Sequence, residues 1–242
     1  MKYIMKIEES LRSNLLPLYK KMIDENKFSD VCVFCIQWGN KFPENENTGI
    51  IFVGKAVNSW INSETDINIL FGKSEDRIFA RDDQMEWVHK SENDHENYNT
   101  KKSAFWRLVK GISKRFYSKE DWFSYVAWSN LCKIAPFEGG NPNDSLYYEQ
   151  LESCCKILEK EVQVLSPKFV VMLTSGWERD FLFPLNKDND PECIENIIWD
   201  GYETKIYKIN SVFYITSPHP QGKGEKKHIE AVTELITKYR LK

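Results

Sequence analysis

Short apolar runs alternate with longer amphipathic stretches along this chain. The runs that have the length of buried strands cover residues 49–53, 125–131, 168–173 and 212–216. A continuous apolar run of this kind indicates a strand covered on both faces, as in a parallel sheet. Apolar residues recur at helical spacing over residues 10–25, 105–116, 143–165 and 226–239. Alternating strands and helices predict an α/β/α three-layer sandwich with a central, mainly parallel sheet, to which 198–207 contributes an edge strand.

One stretch, residues 62–99, departs from this pattern because it is acidic and polar, with Trp87 as its main apolar anchor. We predict that it is an insertion or a mobile surface segment. A chain of 242 residues is long for an average domain, but three-layer α/β folds often use that many residues in one unit. We therefore predict a single domain over 1–242.

The composition is that of a globular protein. The chain is 41% hydrophobic and 29% charged, which excludes a disordered or low-complexity chain. No apolar run approaches the roughly 18 residues that cross a bilayer, and charges interrupt the N-terminal segment every few residues. We expect a cytoplasmic protein that does not span a membrane. The sequence does not indicate an oligomeric state.

The charge balance limits how the protein can bind nucleic acid. The formal net charge is −3, the wrong sign for a protein that coats nucleic acid through its overall charge. Residues 101–119, however, contain seven basic residues and no acidic one. This helix presents either a solvated face or a set of phosphate contacts, for which Lys110, Lys114 and Arg115 are the candidates.

Six cysteines occur in a chain with no recognisable export signal, which predicts free thiols rather than disulfides. Cys32 and Cys35 form a CxxC, but they lie in an apolar, β-rich run where cysteine acts as a small buried hydrophobe. Cys154 and Cys155 are adjacent on a predicted helix, so they cannot both face one site. We predict neither a bound metal nor another cofactor.

Three loops follow predicted strands, at the position where open parallel sheets gather their ligand sites. They are Gly54–Trp60, Asn130–Pro136 and Ser217–Gly222. Their order resembles a pattern of the uracil-DNA glycosylase superfamily: a strand ending in V-G, then N-L-x-K-x-x-P, a Cys-containing helix, L-x-P-K before an apolar strand, and a final H-P. In this chain the corresponding blocks are Val53-Gly54, Asn130–Pro136, Cys154–Val164, Leu165–Leu173 and His219-Pro220.

The resemblance implies a partner and a set of roles. The partner is DNA or another nucleobase-containing ligand. Asn130 matches the residue whose amide reads the edge of the base, and His219 matches the donor to the departing base. Residues 55–58 occupy the water-activating loop, which makes Asn58 the candidate for orienting water. The other residues expected at the base are Gly54, Lys55 and Trp60.

This chain departs from the family pattern in the water-activating loop. Members of the family carry patterns such as G-Q-D-P-Y or G-E-A-P-G, with a carboxylate or amide at the second or third position. Here the loop reads Gly54-Lys55-Ala56-Val57-Asn58, so the first amide comes two positions late. The final motif also differs, because Gln221 replaces the serine of H-P-S.

Three functions are compatible with these residues. The first is hydrolysis of a damaged base from DNA, and the second is non-catalytic binding of nucleic acid or a nucleotide. The third is hydrolysis of a different small molecule on the same scaffold, because a fold does not determine a function. A structural role is also open for Asn130 as a turn or cap residue and for the loop at His219 as a rigid strand exit.

Some members of the uracil-DNA glycosylase superfamily hold a four-iron cluster. In this chain Cys132 precedes Lys133, whereas the cysteine of those members follows its lysine. We therefore predict no cluster.

Overall fold

A computed structural model describes residues 2–25, 27–43, 48–59, 61–62, 83–96, 98–117 and 120–241. The chain divides into two compact units, each assembled from several segments. The first unit comprises Met1–Ile36, Lys55–Asp82 and Ser129–Leu165, and the second comprises Gln37–Gly54, Asp83–Trp128 and Ser166–Lys242. The single domain over 1–242 stays a prediction.

The described residues form a mixed α/β fold. The helices are α1 (Lys2–Glu25), α2 (Glu86–Lys90), α3 (Ala104–Phe116), α4 (Asp144–Leu165), α5 (Arg179–Leu185) and α6 (Glu225–Tyr239). The first six strands are β1 (Val31–Val33), β2 (Gln37–Trp38), β3 (Ile50–Gly54), β4 (Ile61–Asn62), β5 (Val126–Asn130) and β6 (Ile134–Pro136). The remaining strands are β7 (Phe169–Leu173), β8 (Cys193–Trp199), β9 (Tyr202–Ile209) and β10 (Val212–Ser217).

The first unit is built on two helices, α1 and α4, and a small antiparallel sheet in the order β4-β1-β6. Helix α1 begins eight residues earlier than predicted, because Ile7 extends the buried stripe that continues through Leu11 and Leu15. Its buried Tyr19 donates a hydrogen bond of 2.7 Å from the hydroxyl to the main-chain oxygen of Phe34. Helix α1 is thereby tied to the segment that follows β1.

Helix α4 begins where the sequence predicts. Asn143 accepts a hydrogen bond of 2.9 Å at Oδ1 from the main-chain N–H of Leu146, which is the contact of an N-cap. The buried side of the helix includes Cys154, Leu158 and Val162, as expected from their spacing. The helix ends at Leu165, also as predicted.

The main sheet has seven strands in the order β2-β5-β3-β7-β10-β9-β8. Strands β3, β7 and β10 are parallel neighbours, and every residue in them is buried. These are the continuous apolar runs of the sequence, and the structure confirms them as central strands. The prediction of an α/β fold with a central sheet is therefore correct.

The prediction that the sheet is mainly parallel is wrong towards its edges. Strand β9 pairs antiparallel with both β10 and β8, and β2 pairs antiparallel with β5. The turn between β8 and β9 consists of Asp200 and Gly201, with φ angles of 47° and 78°. Two successive left-handed residues form the turn that matches the twist of a hairpin, and Asp-Gly is a preferred pair for it. The sheet is mixed because this turn reverses the chain within two residues.

Most of the described part of the acidic stretch belongs to the second unit. Residues 63–82, which make up most of the predicted insertion, lie outside the described residues. In α2, the ring of Trp87 meets Trp106 edge-on at a centroid distance of 5.3 Å and Trp128 at 5.7 Å. Trp87 is thus an anchor, as its isolated position in the sequence suggests. The mobility of the stretch stays a prediction.

Candidate functional site

Two of the three predicted loops are joined directly in the first unit. The main-chain N–H of Cys132 donates to the main-chain oxygen of Lys55 at 2.9 Å. Ser59 Oγ donates to the main-chain oxygen of Phe137 at 2.6 Å, just beyond the end of the second loop. The loop after β3 and the loop after β5 therefore lie side by side, as expected for loops at one end of neighbouring strands. Trp60 lies outside the described residues.

Asn130 is the last residue of β5 and has 2% of its surface exposed. Its side-chain nitrogen, Nδ2, is buried and has no hydrogen-bond partner among the residues that the structure describes. Leaving a buried donor unpaired costs about 1–3 kcal/mol, so such a group calls for a specific explanation. A ligand that brings an oxygen acceptor to this amide would remove the cost.

A buried ion pair lies next to Asn130. Lys133 Nζ donates to both carboxylate oxygens of Glu161, at 2.8 and 2.9 Å, and neither side chain has exposed surface. The same ammonium donates to Ser129 Oγ at 2.7 Å and to the main-chain oxygen of Asn130 at 2.8 Å. Ser129 Oγ donates in turn to Glu161 at 2.7 Å. Burial raises the pKa of Glu161, and the Lys133 ammonium and the Ser129 hydroxyl oppose that rise.

Gln150 forms hydrogen bonds with the turn between β5 and β6, which carries Asn130 at its start. Its Oε1 accepts from the main-chain N–H groups of Lys133 and Ile134, at 3.0 and 2.8 Å, and its Nε2 donates to the Ile134 oxygen at 2.8 Å. The main-chain oxygen of Lys133 accepts from the Phe34 N–H at 2.8 Å. The turn that carries Asn130 is therefore held by both main-chain and side-chain contacts.

The cysteines of the first unit are mostly buried thiols. Cys32, Cys35, Cys132 and Cys154 have at most 1% of their surface exposed. Burial raises the pKa of Cys154 to about 12, and it raises the pKa of Cys132 further. Because the thiolate is the reactive form, we expect Cys132 and Cys154 to be unreactive at neutral pH. Within the described ranges, no three His, Cys, Asp or Glu side chains are grouped so as to hold a metal ion.

Lys55 and Asn58, in the loop after β3, both accept hydrogen bonds from neighbouring loops. Asn58 Oδ1 accepts a hydrogen bond of 3.2 Å from the main-chain N–H of Gly140. The neighbouring Gly139 has a φ of 99°, and a Cβ added there would collide with the Asn58 amide. This position therefore requires glycine, for both conformation and space. Since Asn58 Oδ1 is engaged by the loop, its role in orienting water stays a prediction.

His219 belongs to the second unit, in the loop after β10. Its main-chain N–H donates to Ser175 Oγ at 2.7 Å, and its ring Nδ1 accepts a long hydrogen bond of 3.4 Å from the Gln221 N–H. An accepting Nδ1 favours the tautomer that carries the proton on Nε2. In this tautomer, Nε2 of His219 is a hydrogen-bond donor. Gly54, at the end of β3, is buried in the same unit.

Behind this loop, buried polar groups form a hydrogen-bonded chain. Trp199 Nε1 donates to Thr204 Oγ1 at 2.9 Å, which lies 2.8 Å from Ser217 Oγ, and Ser217 Oγ lies 2.7 Å from His228 Nε2. The rings of Trp199 and His228 stack at a centroid distance of 4.5 Å. The indole N–H can only donate, whereas each hydroxyl can donate or accept, so the contacts tie these four side chains together without fixing a single donor direction. They fix Ser217, two residues before His219.

His228 predicts a loss of stability in mild acid. Burial lowers the pKa of His228 to about 4, against 6.5 for the free side chain. As the pH falls below 6.5, the unfolded chain binds a proton at His228 that the folded chain excludes, so the free energy of unfolding falls. This loss stops growing below about pH 4, where both states are protonated. We expect His228 to remove about 3 kcal/mol of the free energy of unfolding over this window. Urea denaturation of the wild type and His228→Gln across pH 4–7 measures it, and parallel pH profiles would contradict it.

The basic helix α3 is largely neutralised by acids from other segments. Lys110 Nζ lies 2.5 Å from Glu92, whose side chain is 9% exposed, and Lys114 Nζ lies 3.4 Å from Glu120. Burial raises the pKa of Glu92, but Lys110 and His89 lower it by more, and the net shift is downward. Arg115 is exposed and has no ion-pair partner among the residues that the structure describes. Phosphate contacts by these three residues stay a prediction.

Arg115 and Lys110 of this helix should respond differently to charge removal. We expect Arg115→Gln to lower the salt dependence of DNA binding by about one unit of slope, with stability unchanged. Lys110→Gln should lower the free energy of unfolding by about 1–3 kcal/mol, because it deprives the buried Glu92 of its ammonium partner. Binding titrations at several salt concentrations and urea denaturation separate the two effects. If the dependence of DNA affinity on salt concentration is unchanged in Arg115→Gln, the basic face of this helix is solvated and does not contact phosphates.

Sequence reasoning missed Ser129 and Glu161 in the first unit, and Ser175, which accepts a hydrogen bond from His219 in the second unit. Glu161 did carry a signal, because it falls on the apolar stripe of α4, three and four residues after Leu158 and Ile157. An acid at such a position needs a buried partner. Ser129 and Ser175 carry no comparable signal, since serine is common at strand ends and in turns.

No helix within the described residues is both long and apolar enough to span a membrane. Comparison of the sequence with protein-family models and with curated proteins finds no match.

Proposed function

We propose that this protein recognises a nucleobase through Asn130 and hydrolyses the N-glycosidic bond of uracil or another damaged base in DNA. The observation that carries the proposal is the buried Asn130 amide nitrogen without a partner. A carboxamide is complementary to the edge of a pyrimidine such as uracil, because it donates to a ring carbonyl and accepts from the neighbouring ring N–H. A three-layer sandwich of uracil-DNA glycosylase type is part of the same proposal.

The chemistry of base release requires a donor aimed at the departing base. Breaking the bond develops positive charge on the sugar and negative charge on the base, and the nucleotide must first leave the helical stack. We assign this donor role to His219, whose Nδ1 accepts a long hydrogen bond from the Gln221 N–H, a contact that favours the proton on Nε2. The resemblance at His219-Pro220 supports the same assignment.

Non-catalytic binding is the second candidate function, and the loop after β3 favours it. The charged Lys55 cannot take up a proton, Ala56 has no polar group, and Asn58 Oδ1 is engaged by Gly140. A protein that keeps the base-reading amide but lacks a group to activate water would bind a base without releasing it.

A panel of oligonucleotides separates these functions. Single and double strands that contain uracil, hypoxanthine or a mismatch are incubated with the protein, and abasic sites are then cleaved by heat and alkali. Strand scission at the modified position supports hydrolysis. Base-dependent affinity without scission supports non-catalytic binding. If the protein neither releases nor discriminates any base, the proposed function is wrong.

The role of Asn130 is tested by Asn130→Asp, which keeps the shape of the side chain and removes its donor. We expect this change to lower the preference for the recognised base by at least about tenfold. The matched control is Asn196→Asp, at an exposed position of β8, which should leave the preference unchanged. An equal preference in wild type and Asn130→Asp would exclude this residue from base recognition.

A further inference from the structure

The Lys133–Glu161 pair is unusual because it is fully buried and makes direct contact with the residue that reads the base in the proposed function. Lys133 Nζ lies within 2.9 Å of Ser129 Oγ, of the Asn130 main-chain oxygen and of both oxygens of Glu161. An ammonium has three protons, and these acceptors are sufficient to use all of them. The pair therefore connects α4 with the end of β5.

Stability alone does not account for this arrangement. Moving two charges out of water costs several kcal/mol per ion, and well-packed apolar residues in place of a buried pair are often neutral or stabilising. Neither Lys133 nor Glu161 has exposed surface through which water could lower that cost. An ion pair differs from an apolar pair because its hydrogen bonds are directional. Here the ammonium donates to one particular main-chain carbonyl group.

The carbonyl that is held belongs to Asn130 itself. Fixing this oxygen restrains rotation about the Cα–C bond of Asn130, which sets the direction in which its Cα–Cβ bond leaves the backbone. Ser129, the preceding residue, is held by the same two charged groups. Asn130 Nδ2, in contrast, has no hydrogen-bond partner among the described residues. The contacts fix the backbone of Asn130 and leave its amide nitrogen for a ligand.

We propose that Lys133 and Glu161 are positioning residues that orient the Asn130 amide for base recognition, a role that rests on the proposed function. Neither residue touches the base. Their effect reaches the base through the backbone at Asn130, so their loss should reduce discrimination between bases more than it reduces general affinity for DNA. Small errors in the placement of a recognition group have large effects on binding and rate.

The experiment uses Lys133→Met/Glu161→Met, which removes both charges and leaves neither ion unpaired. We expect the double variant to fold and its preference for the recognised base over the matched normal base to fall at least about tenfold. Affinity for the undamaged strand should stay as in the wild type. The matched control is Lys156→Met/Glu152→Met, which removes an exposed Lys–Glu pair from the same helix and should change neither quantity.

A second readout does not depend on activity. The side-chain amide signals of Asn130 in a ¹H–¹⁵N spectrum are identified by their absence in Asn130→Ala. We expect these signals to move towards the values of free asparagine in the double variant and to stay in place in the control. If the double variant does not fold, Ser129→Ala provides the same two measurements with both charges still paired, and we expect at least a twofold loss of base preference.

The two readouts distinguish failure of this inference from failure of the proposed function. If the wild type neither binds nor releases any base, but the Asn130 signals depend on the Lys133–Glu161 pair, the orienting role holds and the proposed function is wrong. If the wild type discriminates bases and the folded double variant does so equally well, the positioning role is overturned and the proposed function stands.

Discussion

Replacing His219 by alanine is expected to lower the rate of base release by about 100-fold or more while leaving the fold intact. A donor aimed at developing negative charge is worth most in the transition state, and the removal of one such donor typically costs about 100- to 1,000-fold in rate. The loop itself should persist, because the His219 main-chain N–H still donates to Ser175 and the flanking Pro218 and Pro220 still restrict the backbone. Single-turnover kinetics on the recognised substrate measures this effect.

The matched control is His95→Ala, which removes an exposed histidine from the segment after α2 and should leave the rate unchanged. If the protein binds bases without releasing them, His219→Ala should weaken base-dependent affinity by about 1–2 kcal/mol. A loss of several kcal/mol of stability, with no change in binding or turnover, would show that His219 is structural.

The central strands could be predicted from the sequence because both of their faces are buried. In β7, all residues of Phe169–Leu173 are buried, so the run is apolar without interruption and its ends are sharp. The same holds for β3 and β10, whose observed bounds differ from the predicted ones by one residue at each end or less. Burial on both faces leaves a pattern that depends on no distant contact.

The strands that could not be predicted lack this signal. Strands β2, β4 and β6 have only two or three residues, which is too short for any periodicity. Strand β8 is mostly exposed, and its charged and apolar residues do not alternate regularly. The antiparallel edge depends instead on a two-residue turn at Asp200 and Gly201, whose sequence favours a hairpin.

The candidate site was accessible to sequence reasoning only in part. Asn130 and His219 are candidates because they follow recognisable strands and match a family pattern, whereas Lys55 is a candidate only through its place after β3. The partner of Lys133 was not identified, because Glu161 lies 28 residues further along the chain on another element. The apolar stripe of α4 indicates that Glu161 is buried, but nothing in the spacing indicates which residue it pairs with.

The same buried pair leads to a second prediction with a large effect, on stability. We expect Lys133→Met to lower the free energy of unfolding by about 3–5 kcal/mol, because it leaves the Glu161 carboxylate buried without its ammonium. Among the described residues, the Ser129 hydroxyl alone would still donate to that carboxylate. Lys156→Met, at an exposed pair on α4, should change stability by less than about 1 kcal/mol. Urea denaturation of both variants at pH 7 gives the comparison.

Adding Glu161→Met to Lys133→Met identifies the cause of the loss. If the cost arises from an unpaired buried charge, removing that charge should restore most of the stability lost in the single variant. If the cost arises from lost packing of the lysine side chain, the second substitution should restore nothing. Recovery in the double variant would mean that folding tolerates an apolar pair at this position, so that a loss of base discrimination in the same variant must come from the orientation of Asn130. No recovery would make Lys133 primarily a packing residue.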